Sequence, residues 1–445
     1  MTQVGSADAA EVGEVTVAVE ATVISVEDDA AMIDAWHRAL LGLAGYLPDA
    51  LISQARDWLA AGRRLDLAQA VAFAVAAGQL NRGGAEILLA RAELTAAGRD
   101  SDVVGVLDAQ PLGERLPSAW RFCSTASERG AAAALPLDLT AADAAVALDT
   151  VEAAIVEAVG AEPGAVGLWR TWRIPAAGSS WPEPKQVFVV TAEPDPADPA
   201  AALAVSTAPA ALAVSTAPPG LAGLAARLQA VLLAAGEPAP QVEVCPAGEE
   251  PSPYQRLAQM SGALLWAREP AAEVSVARTF DEVDPVEGPR FTADRPRIDD
   301  LRHRDDLLDY LDAGVPILDS SSLMSDVLDP ARGEVVPMTF RTDGRWVWTD
   351  AASYYLDEYG IAPDPDLSRH VAEVQGPGSD PSLAVDEVAL HRVLAHLLNP
   401  RQEEGVWVVP QMGVALLDEE PHLDEEPHPD GEPLDEEPRS AADAS

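Results

Sequence analysis

His303, Asp305, Asp306 and Asp309 fall within the single stretch LRHRDDLLDYL. An imidazole beside carboxylates is the set that acid–base or metal chemistry draws on. At helical spacing, however, Asp305 and Asp309 share a face and Arg302 reaches Asp306, so a solvated, ion-paired helix surface accounts for the same letters. Ser320, Ser321 and Ser322 follow Asp319, and with His303 or His370 elsewhere they supply the ingredients of a nucleophilic triad. The GxSxG elbow that would present such a serine is missing. His391 and His396 are five apart, off the i, i+4 face of a helical two-histidine metal site, and no HExxH occurs. His422 and His428 lie beside DEEP units that lack the glycine turn and bidentate glutamate of a calcium loop. His37 adjoins an apolar stripe with no ligand-spaced partner and is expected to be structural. No Walker A run, no GxGxxG after a strand and no kinase loop set appears, which argues against nucleotide chemistry. No cofactor and no metal are expected.

A binding set is more legible than a catalytic one. The run VVPMTFRTDGRWVWTDAASYYLDEYG, residues 335–360, reads as strand, turn, strand and helix. Asp343-Gly344 is a two-residue hairpin signal, Thr349 or Asp350 can cap the helix, and Gly360 can end it. A two-residue loop sets Arg341 opposite Trp346 and Phe340 opposite Val347. Side chains alternate across a strand, so Arg341, Trp346 and Trp348 share one face. That face can hold a guanidinium over indole rings; it packs either on the following helix or on a partner. A bulge at Gly344 would change the pairing, and Pro337 confines the first strand to a sheet edge or its beginning.

Charge narrows the partners. The 445 residues hold 29 Lys+Arg against 73 Asp+Glu, a formal net charge of -44. Such a chain cannot replace the counterions on phosphates, so nucleic acid and anionic membranes are excluded as partners, while basic proteins are attracted. Cys123 and Cys245 lack any CxxC or Cys/His spacing and read as free thiols in a reducing cytosol. The N-terminus has no basic n-region, and no uncharged apolar run reaches membrane-spanning length, so a cytoplasmic protein is expected.

These residues sit on an expected α+β multidomain architecture. Residues 1–28 form an acidic flexible arm, with a strand at Glu14–Ser25 as the alternative. Residues 29–130 read as a helical bundle: Ile33, Trp36, Leu40 and Leu43 mark one stripe, Leu51, Ala55 and Leu59 a second, Leu67, Val71 and Val75 a third, and Ile87–Leu94 a fourth. A fifth helix is expected around Leu116–Ser127. Residues 140–268 read as an α+β sandwich, with a helix from a Thr140/Asp143 capping box through Val159, strands Val166–Ile174, Gln186–Thr191 and Val242–Cys245, a crossover helix at 221–232, and a helix Tyr254–Trp266. Within it AALAVSTAP occurs twice in tandem across 201–218, a tolerant exposed loop. Residues 269–297 look like a linker, with a strand at Val274–Phe280. Residues 298–412 form an α+β unit built on the hairpin 335–348, and end on a strand at Val406–Val409. The tail 417–445 repeats LDEEPH, carries Arg439 as its lone base and is expected to be disordered.

The segments FRTDGRWVWTDAASYYLDEYGIAPDPDL and LPDALISQARDWLAAGRRLDLAQAVAFA resemble stretches of uncharacterised proteins of high-GC actinobacteria. A single lysine, Lys185, and two asparagines, Asn81 and Asn399, agree with a high-GC source. The resemblance implies no activity. The expectation is therefore a non-enzymatic cytosolic protein-interaction module that sequesters or neutralises a basic protein, binding through Arg341, Trp346 and Trp348. The alternatives are a hydrolase using His303 with Asp305 or Asp306, or Ser321 with a histidine, and an accessory factor of a secretion or phage-like assembly.

Overall fold

The computed structural model describes residues 29–80, 84–99, 105, 107, 120–125, 137–140, 148–175, 182–193, 220–318, 321–375 and 385–398. All belong to one compact unit, residues 1–399. The arm 1–28, the duplicated loop 201–218, the expected strand Val406–Val409 and the tail 417–445 lie outside the described residues. Helices and several mixed sheets make the fold α+β. No described helix is long and apolar enough to cross a membrane.

The first helices among the described residues lie at 29–43 (α1), Asp49–Ala60 (α2), Arg64–Ala76 (α3) and Ala85–Ala96 (α4). Their stripes meet as the periodicity requires, with Trp36, Leu40, Leu43, Leu59, Leu67, Val75 and Leu94 in one core. The expected fifth helix is instead strand β1, Trp120–Cys123, paired antiparallel with the far half of β3, Ala165–Pro175. Its aromatic residues suit a pleated surface, and Phe122 buries its ring edge-on against Tyr254.

The main sheet runs β2-β6-β3-β4-β5, where β2 is Leu137–Asp138, β4 Lys185–Ala192, β5 Gln241–Pro246 and β6 Ala263–Ala267, with β1 extending β3. Strand β5 lies parallel to β4 through helix α6, Gly220–Ala234, the parallel crossover that the element order implies. Helices α5, Thr150–Gly160, and α6 cover one face over Leu168, Phe188, Val190, Val242 and Val244. The other face, with Trp169, Val189 and Leu264, meets α1, α7 (Pro253–Met260) and Val388. Two expectations change here. Helix α5 starts nine residues later than the Thr140/Asp143 signal implied, at a capping box of Asp149 and Glu152, while Thr140 folds back on Asp138 at 2.6 Å. Helix α7 stops at Met260, before Trp266, and the chain turns at Gly262, where a Cβ would meet the Ala258 carbonyl at 2.8 Å and the Arg170 carbonyl at 3.0 Å. The chain then pairs as β6 with β3.

Residues 269–297 carry strand β7, Ser275–Val276, and the hairpin of β8, Glu282–Asp284, with β9, Gly288–Arg290. Then come helix α8, Leu301–Ala313, and strands β10, Val315–Leu318, β11, Leu323–Ser325, and β12, Glu334–Pro337. The central hairpin of β13, Phe340–Thr342, and β14, Trp346–Thr349, is followed by helices α9, Asp350–Tyr359, α10, Pro365–Val374, and α11, Glu387–Leu398. A second sheet is ordered β10-β13-β14-β7, and β7 joins it parallel to β14.

Candidate functional site

The hairpin places the site, but not in the expected register. Arg341 pairs with Trp348, Phe340 with Thr349 and Thr342 with Val347, two residues away from a two-residue loop. Side chains bring about the shift. The Asp343 carboxylate accepts from the Arg345 and Trp346 amides at 2.8 and 2.7 Å, and the Thr342 hydroxyl donates to the Trp346 carbonyl at 2.6 Å. These bonds stabilise a wider turn, with Gly344 at φ 91° where L side chains are strained. A shift of two residues preserves the faces, so Arg341, Trp346 and Trp348 remain on one side.

Most of that side is turned toward α8. Trp348 is 1% exposed, and its indole N–H donates to the Leu311 carbonyl at 3.1 Å. Arg341 Nη1 donates to the Asp312 and Gly314 carbonyls at 2.9 and 3.0 Å. The two side chains thus cap carbonyls at the end of α8, adding to the bond that the Gly314 amide gives Leu311 at 3.4 Å. Gly314 caps the end of the helix, where a Cβ would meet the Trp348 ring at 2.3 Å. Arg341 Nε reaches Asp350 at 2.5 Å, at the first turn of α9 where a carboxylate also favours the helix dipole. Gly360, at φ 67°, closes that helix as its sequence implies. Trp346 is half-buried, its ring 6.0 Å from that of His370.

A cleft of about 510 Å³ opens beside this anchor, between α8 and α9. Helix α8 contributes Leu308 and Asp312, one turn apart; α9 contributes Asp350, Ser353, Tyr354 and Asp357 from one face; Pro337 and Arg341 complete it. Asp312 and Asp357 are exposed and have no ion-pair partner among the described residues. Tyr354 donates to the buried Asp326 carboxylate at 2.9 Å, as does Tyr359. Desolvation and the Asp326 hydrogen bond push the Tyr354 pKa up, so it lines the cleft as a neutral phenol. Three carboxylates thus face one guanidinium that Asp350 and two carbonyls already engage.

Behind the hairpin turn lies a cluster that motif reading did not find. Asp343 accepts from the Tyr310 hydroxyl at 2.6 Å and from His370 Nε2 at 2.5 Å, in addition to the two turn amides. Burial works to raise its pKa, but the Trp346 amide, the Tyr310 hydroxyl, the Arg345 amide and His370 outweigh it and hold the carboxyl below its ordinary range. Burial first, then the Asp343 contact, pushes Tyr310 up. Tyr, Asp and His within hydrogen-bond reach have the form of a proton relay. None of the three lines the cleft, and the carboxylate's acceptor sites are filled by groups that tie the turn to α8 and α10. Asp343→Asn is therefore expected to cost about 1–3 kcal/mol, because one carbonyl oxygen must serve four donors. A thermal melt of the variant measures this, and an unchanged midpoint would show that the turn holds without the carboxylate.

The other sequence candidates lie apart from the cleft. His303, Asp305 and Asp306 are exposed on the outer face of α8, where the His303 amide is engaged by the helix cap Asp300. Ser321 is exposed in the approach to β11, and Asp319 and Ser320 lie outside the described residues. The hydrolase reading gains no convergent group from them. His391 donates to the Leu137 carbonyl from Nε2 at 2.9 Å, a packing role. Among the described residues no group of three metal-ligating side chains occurs. The signal that could have found the cleft is the apolar-and-acidic spacing Leu308/Asp312 and Asp350/Tyr354/Asp357, which motif reading did not single out. No family model, no curated protein and no solved structure matches the chain.

Proposed function

We propose that this chain is a non-enzymatic protein-interaction module that takes a basic segment of a partner protein in the cleft between α8 and α9, and so sequesters or neutralises that partner. The observation that carries the reading is the charge of the cleft: Asp312, Asp350 and Asp357 line it with Arg341 alone as counter-charge, and Arg341 is bonded to Asp350. In this reading Arg341 orders the floor and Trp348 holds it to α8, while Trp346 packs on His370 and does not line the cleft. The net charge of -44 steers a basic partner toward the chain.

The test separates the cleft from the general field. An octalysine peptide is titrated against the full chain and against the Asp312→Asn/Asp357→Asn double variant over a range of salt. The two substitutions remove two charges from a net of -44, so a nonspecific polyanion would barely respond. A cleft-centred interaction loses about tenfold in affinity, near 1.4 kcal/mol, and becomes less salt-sensitive. Equal affinity for both proteins would sink the reading.

A further inference from the structure

We infer that the group this cleft receives is one arginine side chain of the partner, and not a diffuse run of positive charge; this rests on the interaction reading above and names its ligand. The cleft offers each part of that side chain a counterpart. Leu308 and Pro337 form apolar wall for a methylene stem. Asp312 on α8 and Asp357 on α9 present carboxylates from opposite sides, both exposed and without an ion-pair partner among the described residues. Ser353 is 9% exposed, and its hydroxyl has no hydrogen-bond partner. A buried hydroxyl without a partner is rare in a folded protein, and one in the lining of a cleft marks a position where a ligand donor completes the set.

The choice of arginine over lysine follows from how these acceptors are spread. They sit on two helices, whereas an ammonium gathers its three donors at a single nitrogen. A guanidinium carries five N–H donors in a rigid plane and can bridge them. The Arg341–Asp350 contact shows the same pairing made within the chain.

Three peptides of the form acetyl-Gly-Ser-X-Ser-Gly-amide, with X as arginine, lysine or citrulline, are titrated by NMR into the full chain. The expected result is binding of the arginine peptide at least tenfold tighter than the lysine peptide, with citrulline not binding. Ser353→Ala is expected to weaken the arginine peptide several-fold while leaving the lysine peptide unchanged. Equal affinity for arginine and lysine, with both still dependent on Asp312 and Asp357, would overturn this inference and leave the interaction reading standing. Binding of either peptide that is indifferent to Asp312→Asn/Asp357→Asn would overturn both. The peptide series needs no variant, so it decides the matter even if Ser353→Ala fails to fold.

Discussion

Replacing Glu243 by alanine is expected to lower the unfolding free energy by about 3–5 kcal/mol, the largest effect of any single substitution considered. Glu243 stands on β5, fully buried, with Arg56 of α2 at 2.7 Å and also buried. Gln255 Nε2 donates to its other oxygen at 3.1 Å and to the Leu41 carbonyl at 2.9 Å. The Arg56–Glu243 atoms are close without the alignment of a hydrogen bond, and Arg56 Nη1 has no partner either. The pair is therefore held by charge, in a place where charge is poorly solvated. Removing the carboxylate leaves a guanidinium buried and uncompensated, which is why the single change costs so much. Removing both is a different matter. Arg56→Met with Glu243→Leu takes away two desolvation penalties together, and most of the loss should be recovered. Denaturant unfolding at constant m-value reads both results. A Glu243→Ala midpoint within about 1 kcal/mol of the parent would mean that water reaches Arg56.

That buried pair also marks where the sequence is hard to read. The apolar stripes of α1 to α4 and the β-rich runs of β3, β4 and β5 follow from local periodicity, and they are where the chain places them. A carboxylate in QVEVCP gives no local sign that it faces an arginine 187 residues earlier. Errors cluster where tertiary pairing overrides a local pattern. The aromatic run at Trp120 has no helix to join and completes β3; the apolar ALLWA after Gly262 leaves a helical phase to pair with β3. The hairpin shows the same limit at closer range. Asp343-Gly344 announces a turn, but its width depends on Asp343 and Thr342 side-chain bonds that a dipeptide rule does not count. The cleft was legible only in fragments, because its carboxylates come from two helices some forty residues apart and look, one helix at a time, like solvated faces. The Tyr310–Asp343–His370 cluster has no fragment to read at all, since helix, turn and helix contribute one residue each.

Lowering the pH from 6.5 to 4 is expected to cost about 3 kcal/mol of stability through His37 alone. Its Nε2 sits 2.8 Å from the Val244 carbonyl of β5, a group that can only accept, so the ring donates there and covers an edge of the main sheet. Burial, with the Arg56 charge adding to it, lowers the His37 pKa from 6.5 to about 4, against the opposing pull of the Val244 bond. A histidine with a depressed folded pKa binds fewer protons folded than unfolded between those two values. Stability therefore rises with pH across the window, is complete above 6.5, and is lost as pH falls toward 4. His391, lowered chiefly by burial, adds in the same direction. The carboxylates held below their ordinary range, Asp343 and Asp326 among them, lose their contribution only at lower pH, and neutralising a chain of net charge -44 relieves repulsion and works the other way. The slope between pH 6.5 and 4.5 thus belongs to the buried imidazoles. His37→Gln keeps an N–H donor without a titrating ring, so chemical unfolding at half-unit pH steps should show a flatter slope in the variant. A parent slope that the variant reproduces would place the acid sensitivity elsewhere.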